Sequence, residues 1–210
     1  MTAAEETATS FTGTVTYGGT AGITGTSAAF VDGVLTIVTI TPQNIGNGVS
    51  FTVVDDESHT GSTTFNVRNL FDSWSGNGEG NGTITFEEDA NNDGVAEGLA
   101  WLLGATTPSE NASTRLPLAG ENTGDLVVDF DCLKSSQHGT ATLHFEYSNN
   151  LALGSWTSIV VPESSNTVNG VLFTVTPIPD SDMNQIQATV PASQANGEGK
   201  MFGRLRGNMP

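Results

Sequence analysis

Short alternations of apolar and polar residues, cut roughly every ten positions by Gly, Asn or Asp, govern what this chain can fold into. In "DLVVDFDCL", Leu126, Val128, Phe130 and Cys132 fall on one side. In "ATLHFEYS", Leu143, Phe145 and Tyr147 do the same, with Thr142, His144 and Glu146 opposite. Side chains of an extended strand point alternately to two faces, so a period of two sorts one face for a core. "FTGTVTY", "GVLTIVTIT", "VSFTVVD" and "GSTTFNVR" repeat the pattern before residue 69, and "GVLFTVTP", "NQIQATVP" and "KMFGRLRG" repeat it near the end. The expectation is a mainly β protein with antiparallel β-sandwich domains over residues 1–68 and 118–210.

The period changes between residues 69 and 117. "NLFDSWSG" reads as a short helix carrying Leu70, Phe71 and Trp74, and "GNGEGNG" as a flexible loop. "GLAWLLG" places Leu99, Leu102 and Leu103 on one helical face and ends on Gly104, a residue suited to stopping a helix. This segment is expected as a helix–loop–helix joint between the two sandwiches.

Between the two helices lies "EEDANNDGVAEG". Counted from Asp89, the residues Asp89, Asn91 and Asp93 take positions one, three and five, and Gly94 takes position six. Val95 at seven would offer its carbonyl, and Glu97 at nine its carboxylate. Calcium takes six to eight hard oxygen ligands, and alternate side chains of a tight loop converge on one point, so this spacing points to calcium. Position twelve, where such loops carry a bidentate carboxylate, is Ala100. Glu87, Glu88 or Asp72 would have to replace it, and affinity would fall to the weak range of extracellular modules. The alternative is a turn whose acids cap the following helix without an ion.

Charge narrows the partners. The chain has 23 Asp and Glu against 6 Lys and Arg, a net charge of −17. Such a surface repels phosphate backbones and anionic lipid, so nucleic acid and membrane are not expected partners. No apolar run is long enough to span a bilayer, and the start has no basic-then-apolar leader, so an exported protein would be seen here as a mature piece or fragment. The abundance of Thr, Ser, Gly and Asn suits a secreted or surface-exposed bacterial chain. Cys132 is the single cysteine, in phase with core residues, and reads as a buried hydrophobe.

Chemistry-bearing motifs are sparse. The sequence has no G-x-S-x-G, no H-E-x-x-H and no phosphate-binding loop. His59, His138 and His144 are scattered. Trp74 and Trp101 read as core, whereas Trp156 after a turn is a candidate ring for stacking on a sugar. Arg204 and Arg206 alternate on the last strand and are expected to face an acidic patch. Asn81-Gly-Thr and Asn111-Ala-Ser fit the glycosylation pattern by composition alone.

From "FDSW" through "DANNDGVAEGLAWLLGA", "YSNNLALGSW" and "MFGRLRG", the chain resembles the C-terminal region of large secreted proteins of planctomycete and verrucomicrobial type. In those proteins a dockerin-like or thrombospondin type 3-like calcium loop precedes a β-rich terminal domain. The resemblance implies calcium at Asp89, Asn91, Asp93, Val95 and Glu97. The N-terminal region resembles bacterial Ig-like modules, in which one or two strands precede the equivalent of "ATSFTGTVT". Only "MTAAEE" precedes it here, which implies a sandwich short of a strand: the chain is cut from a longer protein, or a neighbour's strand fills the gap. The expectation for function is a non-enzymatic extracellular or cell-surface protein, structural or adhesive and stabilised by calcium, touching other copies of itself or neighbouring surface modules, as in a fibre whose subunits assemble by strand complementation. The alternative is a polysaccharide-binding module of a secreted hydrolase.

Overall fold

The computed structural model describes residues 9–77 and 83–210. The opening residues 1–8 and the Gly-rich stretch 78–82, with the Asn81 sequon, lie outside the described residues. The protein is mainly β, with three antiparallel sheets, and the chain divides into two compact units between Asn69 and Leu70.

The N-terminal unit holds β1 (Thr16–Gly18), β2 (Gly25–Thr26), β3 (Gly46–Val54) and β4 (Thr60–Val67) in one sheet ordered β2-β1-β3-β4. Tyr17 pairs with Val53 and Phe51 with Thr63, so the alternation read from the sequence sets the register. Ala21, Ile23 and Val49 are buried, with Tyr17, Ile40, Phe51, Phe65 and Val67 packed around them. Gly19, at φ +104°, lets the chain pass close to β3, because a Cβ there would lie 2.3 Å from the Ser50 carbonyl oxygen.

This unit differs from the expected sandwich. Among the described residues it forms a single sheet, and "GVLTIVTIT" belongs to no strand. The departure has a local mark: Ile37 sits at φ +40°, a region unfavourable for a β-branched residue, and its side chain is 92 % exposed. The run has β propensity but, within the described residues, no neighbouring strand to pair with, and pairing decides whether propensity is realised.

The C-terminal unit begins with α1 (Leu70–Ser75) and α2 (Glu97–Leu102). Strands β5 (Leu118–Asn122), β6 (Asp125–Leu133), β7 (Thr142–Ser148), β8 (Thr157–Val160), β9 (Asn166–Val168), β10 (Val171–Pro177), β11 (Met183–Val190) and β12 (Phe202–Asn208) follow. They form a five-stranded sheet, β5-β6-β11-β10-β9, and a three-stranded sheet, β12-β7-β8. The two sheets share one core in sandwich-like fashion. Val128, Phe130, Phe173 and Ile186 from the first meet Leu143, Phe145 and Ile159 from the second, and the rings of Phe145 and Phe173 cross edge-on at 6.0 Å.

The segment expected as a free joint is folded into this unit. Phe71, Phe86, Trp101, Leu102 and Leu103 belong to the same core as the sheets. Around Phe71 stand Trp74 at 5.6 Å, Phe86 at 5.2 Å and Trp101 at 5.5 Å. Aromatic side chains of this size each remove 150–250 Å² from water, which is why they join the core instead of bridging two domains. Phe86 fits into bare backbone: a Cβ on Gly98 would meet its ring at 2.4 Å, and one on Gly207 at 2.9 Å.

Candidate metal loop

The acidic loop is closed at its base by backbone. Glu97 N–H donates to the Glu88 carbonyl at 2.7 Å, and Gly98 N–H to the Phe86 carbonyl at 2.9 Å. These bonds supply partners to the first N–H groups of α2, which otherwise lie free at any helix start. Ala96, the residue before α2, makes no side-chain capping bond. The acids are therefore not used as helix caps, as the alternative to an ion would have them.

They turn inward instead. Asp89 Oδ1 accepts from Asp93 N–H at 3.0 Å and Oδ2 from Gly94 N–H at 2.9 Å. Asn91 Oδ1 also accepts from Asp93 N–H, at 2.9 Å, and Asp93 Oδ1 from Val95 N–H at 2.8 Å. Gly94 makes the sharp turn at φ +89°, and Asn92 sits at φ +59°, a conformation its type tolerates. The Asn91 amide donates to the carbonyls of Pro108 and Glu110, and Asp93 Oδ2 accepts from Ala112 N–H at 2.5 Å. The segment behind the loop is itself fixed by Glu110, which pairs with Arg115 at 2.6 Å and accepts from Thr106 N–H at 2.8 Å. Those contacts, the Thr106 N–H first, hold the Glu110 carboxyl below its ordinary value.

Glu97 is the unusual member. It is fully buried, and its carboxylate folds back into the loop, where Oε1 accepts from Ala90 N–H at 3.2 Å. Among the described residues Oε2 has no hydrogen-bond partner of good geometry. Burial pushes the carboxyl's proton affinity up, the backbone N–H groups of Ala90 and Asn91 both draw it down, and the charges of Asp93 and Asp89 push in the same direction as burial. An unpartnered buried oxygen of a charged group is costly, by about 1–3 kcal/mol or more. Ala100, at loop position twelve, is buried with Val95, Ala105 and Ala112, which leaves no room for a carboxylate there. Of the replacements weighed from sequence, Glu87 is exposed, Glu88 accepts from Thr85 N–H at 3.1 Å, and Asp72 accepts from Asn77 at 3.0 Å. Among the described residues, no three His, Cys, Asp or Glu side chains stand in a ready metal shell, since the Asp carboxylates are turned onto loop N–H groups.

The other singled-out residues fall elsewhere. Trp101 is buried, and Trp74 donates from its indole to the Ala105 carbonyl at 2.7 Å. Trp156 is half-buried with the Arg204 guanidinium 4.0 Å from its ring centre, so one face is already covered. Arg204 also reaches Glu146 at 2.6 Å, with Arg206 at 3.9 Å from the same carboxylate. The acidic partner foreseen for the two arginines is thus a single buried glutamate on the neighbouring strand.

His144 bonds Ser158 Oγ at 3.0 Å through Nδ1 and Thr142 Oγ1 at 3.0 Å through Nε2. A charge-relay histidine would place a carboxylate where Thr142 or Ser158 stands. His138 meets the Ala141 carbonyl, and His59 meets Asp55 at 2.9 Å on the surface of the other unit. Cys132 is buried, and burial, reinforced by Glu163 and Asp131, pushes its thiol up to about 12, far from a reactive thiolate. No family model, curated protein or solved structure matches the chain.

Proposed function

We propose that the chain is a non-catalytic, calcium-stabilised structural or adhesive module that works outside the cell. The side chains of Asp89, Asn91, Asp93 and Glu97 and the Val95 carbonyl would hold the ion. A bound divalent cation supplies positive charge among clustered carboxylates and a partner for an oxygen that has none. The observation that carries the reading is Glu97: a fully buried carboxylate with an orphaned oxygen, aimed into a loop of two further acids. A bound proton or a bound cation would each neutralise such a group, and the two further acids beside it favour the cation where protons are scarce.

Two features favour an extracellular setting. A loop lacking the twelfth-position carboxylate belongs to the affinity class of about 10⁻⁴–10⁻³ M, which suits calcium levels outside cells. A single buried cysteine and a strongly acidic surface fit the same setting. The N-terminal unit is read as an Ig-like layer that makes contact with other copies or with neighbouring surface modules. The polysaccharide-binding reading is weaker, because Arg204 already lies on Trp156.

The test is thermal unfolding with calcium and with chelator. At roughly 2 mM calcium the expected stabilisation is about 1–2 kcal/mol, a shift of a few degrees in the C-terminal unit. Asp93→Ala should abolish the shift. Identical melting in both buffers removes calcium from the account.

A further inference from the structure

The N-terminal unit leaves two strips of backbone unmatched among its described residues. The first is the outer edge of β4, which ends the sheet order β2-β1-β3-β4 and pairs only with β3. β4 is exposed along most of its 8 residues. The second is the run from Val34 to Thr41, matched only at its ends, where Val34 pairs both ways with Val31 and the Thr41 carbonyl accepts from the Gln43 side-chain amide. Val34 N–H bonds the Val31 carbonyl, and the next backbone donor is Gln43, to Ala21; between them no N–H has a partner among the described residues.

Both strips are chemically ready for a sheet. The run alternates Leu35, Ile37 and Val38 with threonines, and such residues favour strands. Its kink at Ile37, φ +40°, holds a β-branched residue where L side chains are disfavoured, and extension would relieve it. Val34, Ile37 and Val38 are exposed large apolar side chains. An open strand edge of N–H and C=O groups is a template for another extended chain.

We propose that residues 34–41 of one copy add as a strand along the open edge of β4 in a second copy. This rests on the reading of the chain as a surface module that touches its own kind, and not on the calcium loop. The occupant is identified by charge and length. Both strips lack Asp, Glu, Lys and Arg, in a chain of net charge −17. Two such acidic molecules repel each other over most of their surfaces and approach with least opposition where charge is absent. The run matches β4 in length, and backbone hydrogen bonds need nothing else of a partner. Because the donor and acceptor strips are different, the contact is heterologous, and repetition builds an open chain or a ring.

Sedimentation of the full chain over a dilution series, in calcium and in chelator, tests this. The expected result is larger species at higher concentration in both buffers. Val38→Pro disables the donor, and Ser62→Lys with Thr64→Lys disables the edge; each should weaken association at least tenfold while melting as the parent does. Where the proline unfolds the unit, Val38→Lys gives the same readout. Mixing the donor-disabled and edge-disabled chains leaves one intact donor and one intact edge, so a one-to-one heterodimer should form and grow no further. Monomers at every concentration, variants that associate like the parent, or a mixture without heterodimer overturn the proposal. Failure of the calcium reading would show separately, as melting indifferent to chelator.

Discussion

The two units spend their apolar residues differently. In the C-terminal unit the inward faces of two sheets cover each other: Val128, Phe130, Phe145 and Phe173 meet between them, and Glu146 on an opposite face is covered by arginines. In the N-terminal unit, one sheet has one packed side, resting on Ala21, Ile23 and Val49. Apolar residues that a second layer would cover, Val31, Val34, Ile37 and Val38, stay in water. The same alternating pattern gives a closed core in one case and an open one in the other, because a strand's second face is useful only when something lies across it.

Calorimetry can break or sharpen this contrast, since the units should unfold in separate transitions. The largest expected effect is Phe173→Ala, at the centre of the closed core, which should cost about 3–5 kcal/mol and lower the C-terminal transition alone. A shift of both transitions would mean that the units are energetically one. Next comes Gly98→Ala, where the new methyl must displace the Phe86 ring; about 1–3 kcal/mol should be lost, again from the C-terminal transition.

A pH series refines the comparison further. The folded state binds a proton at Glu97 more tightly than the unfolded chain does, because its carboxyl is raised above the ordinary 4.5. In chelator this group's contribution is therefore present at low pH and lost as pH rises above 4.5 through the raised value. On the proposed calcium reading the sign reverses with the ion present, because proton and ion would compete for one carboxylate. The gap between calcium and chelator melting curves should widen with rising pH, and Glu97→Gln should flatten it. The smallest effect is expected for Arg206→Ala, a largely exposed side chain 3.9 Å from Glu146, at about 0.5 kcal/mol or less.

Much of the C-terminal unit could be read from sequence. The inward sets of β6 and β7 and the stop of α2 at Gly104, with φ +83°, follow from spacing alone, whereas α2 is buried on more than the face that Leu99, Leu102 and Leu103 mark. What spacing could not give was the third dimension of the same residues. Glu146 looked like a solvated outer residue, but cross-strand pairing with Arg204 buries it. Phe86 stood before the acidic loop with no period to mark it, yet its ring is wedged against Gly98 and Gly207. The run around Ile37 had every strand-forming property except a partner among the described residues, and partners are not written in a local window. In the acidic loop the sharp turn at Gly94 was legible, but the burial of Glu97 and its orphaned oxygen were not. A glutamate in a loop is ordinarily solvated, and only the chain segments folded over it change that.

Phe86 has one more consequence. Its ring lodges between Gly98, at the start of α2, and Gly207, on β12. A polypeptide made from its amino end, or threaded through a pore in that direction, therefore presents the whole acidic loop long before the strand that wedges it shut. During that interval the loop has no firm floor, and the ion site proposed for it is complete only when the final strand docks.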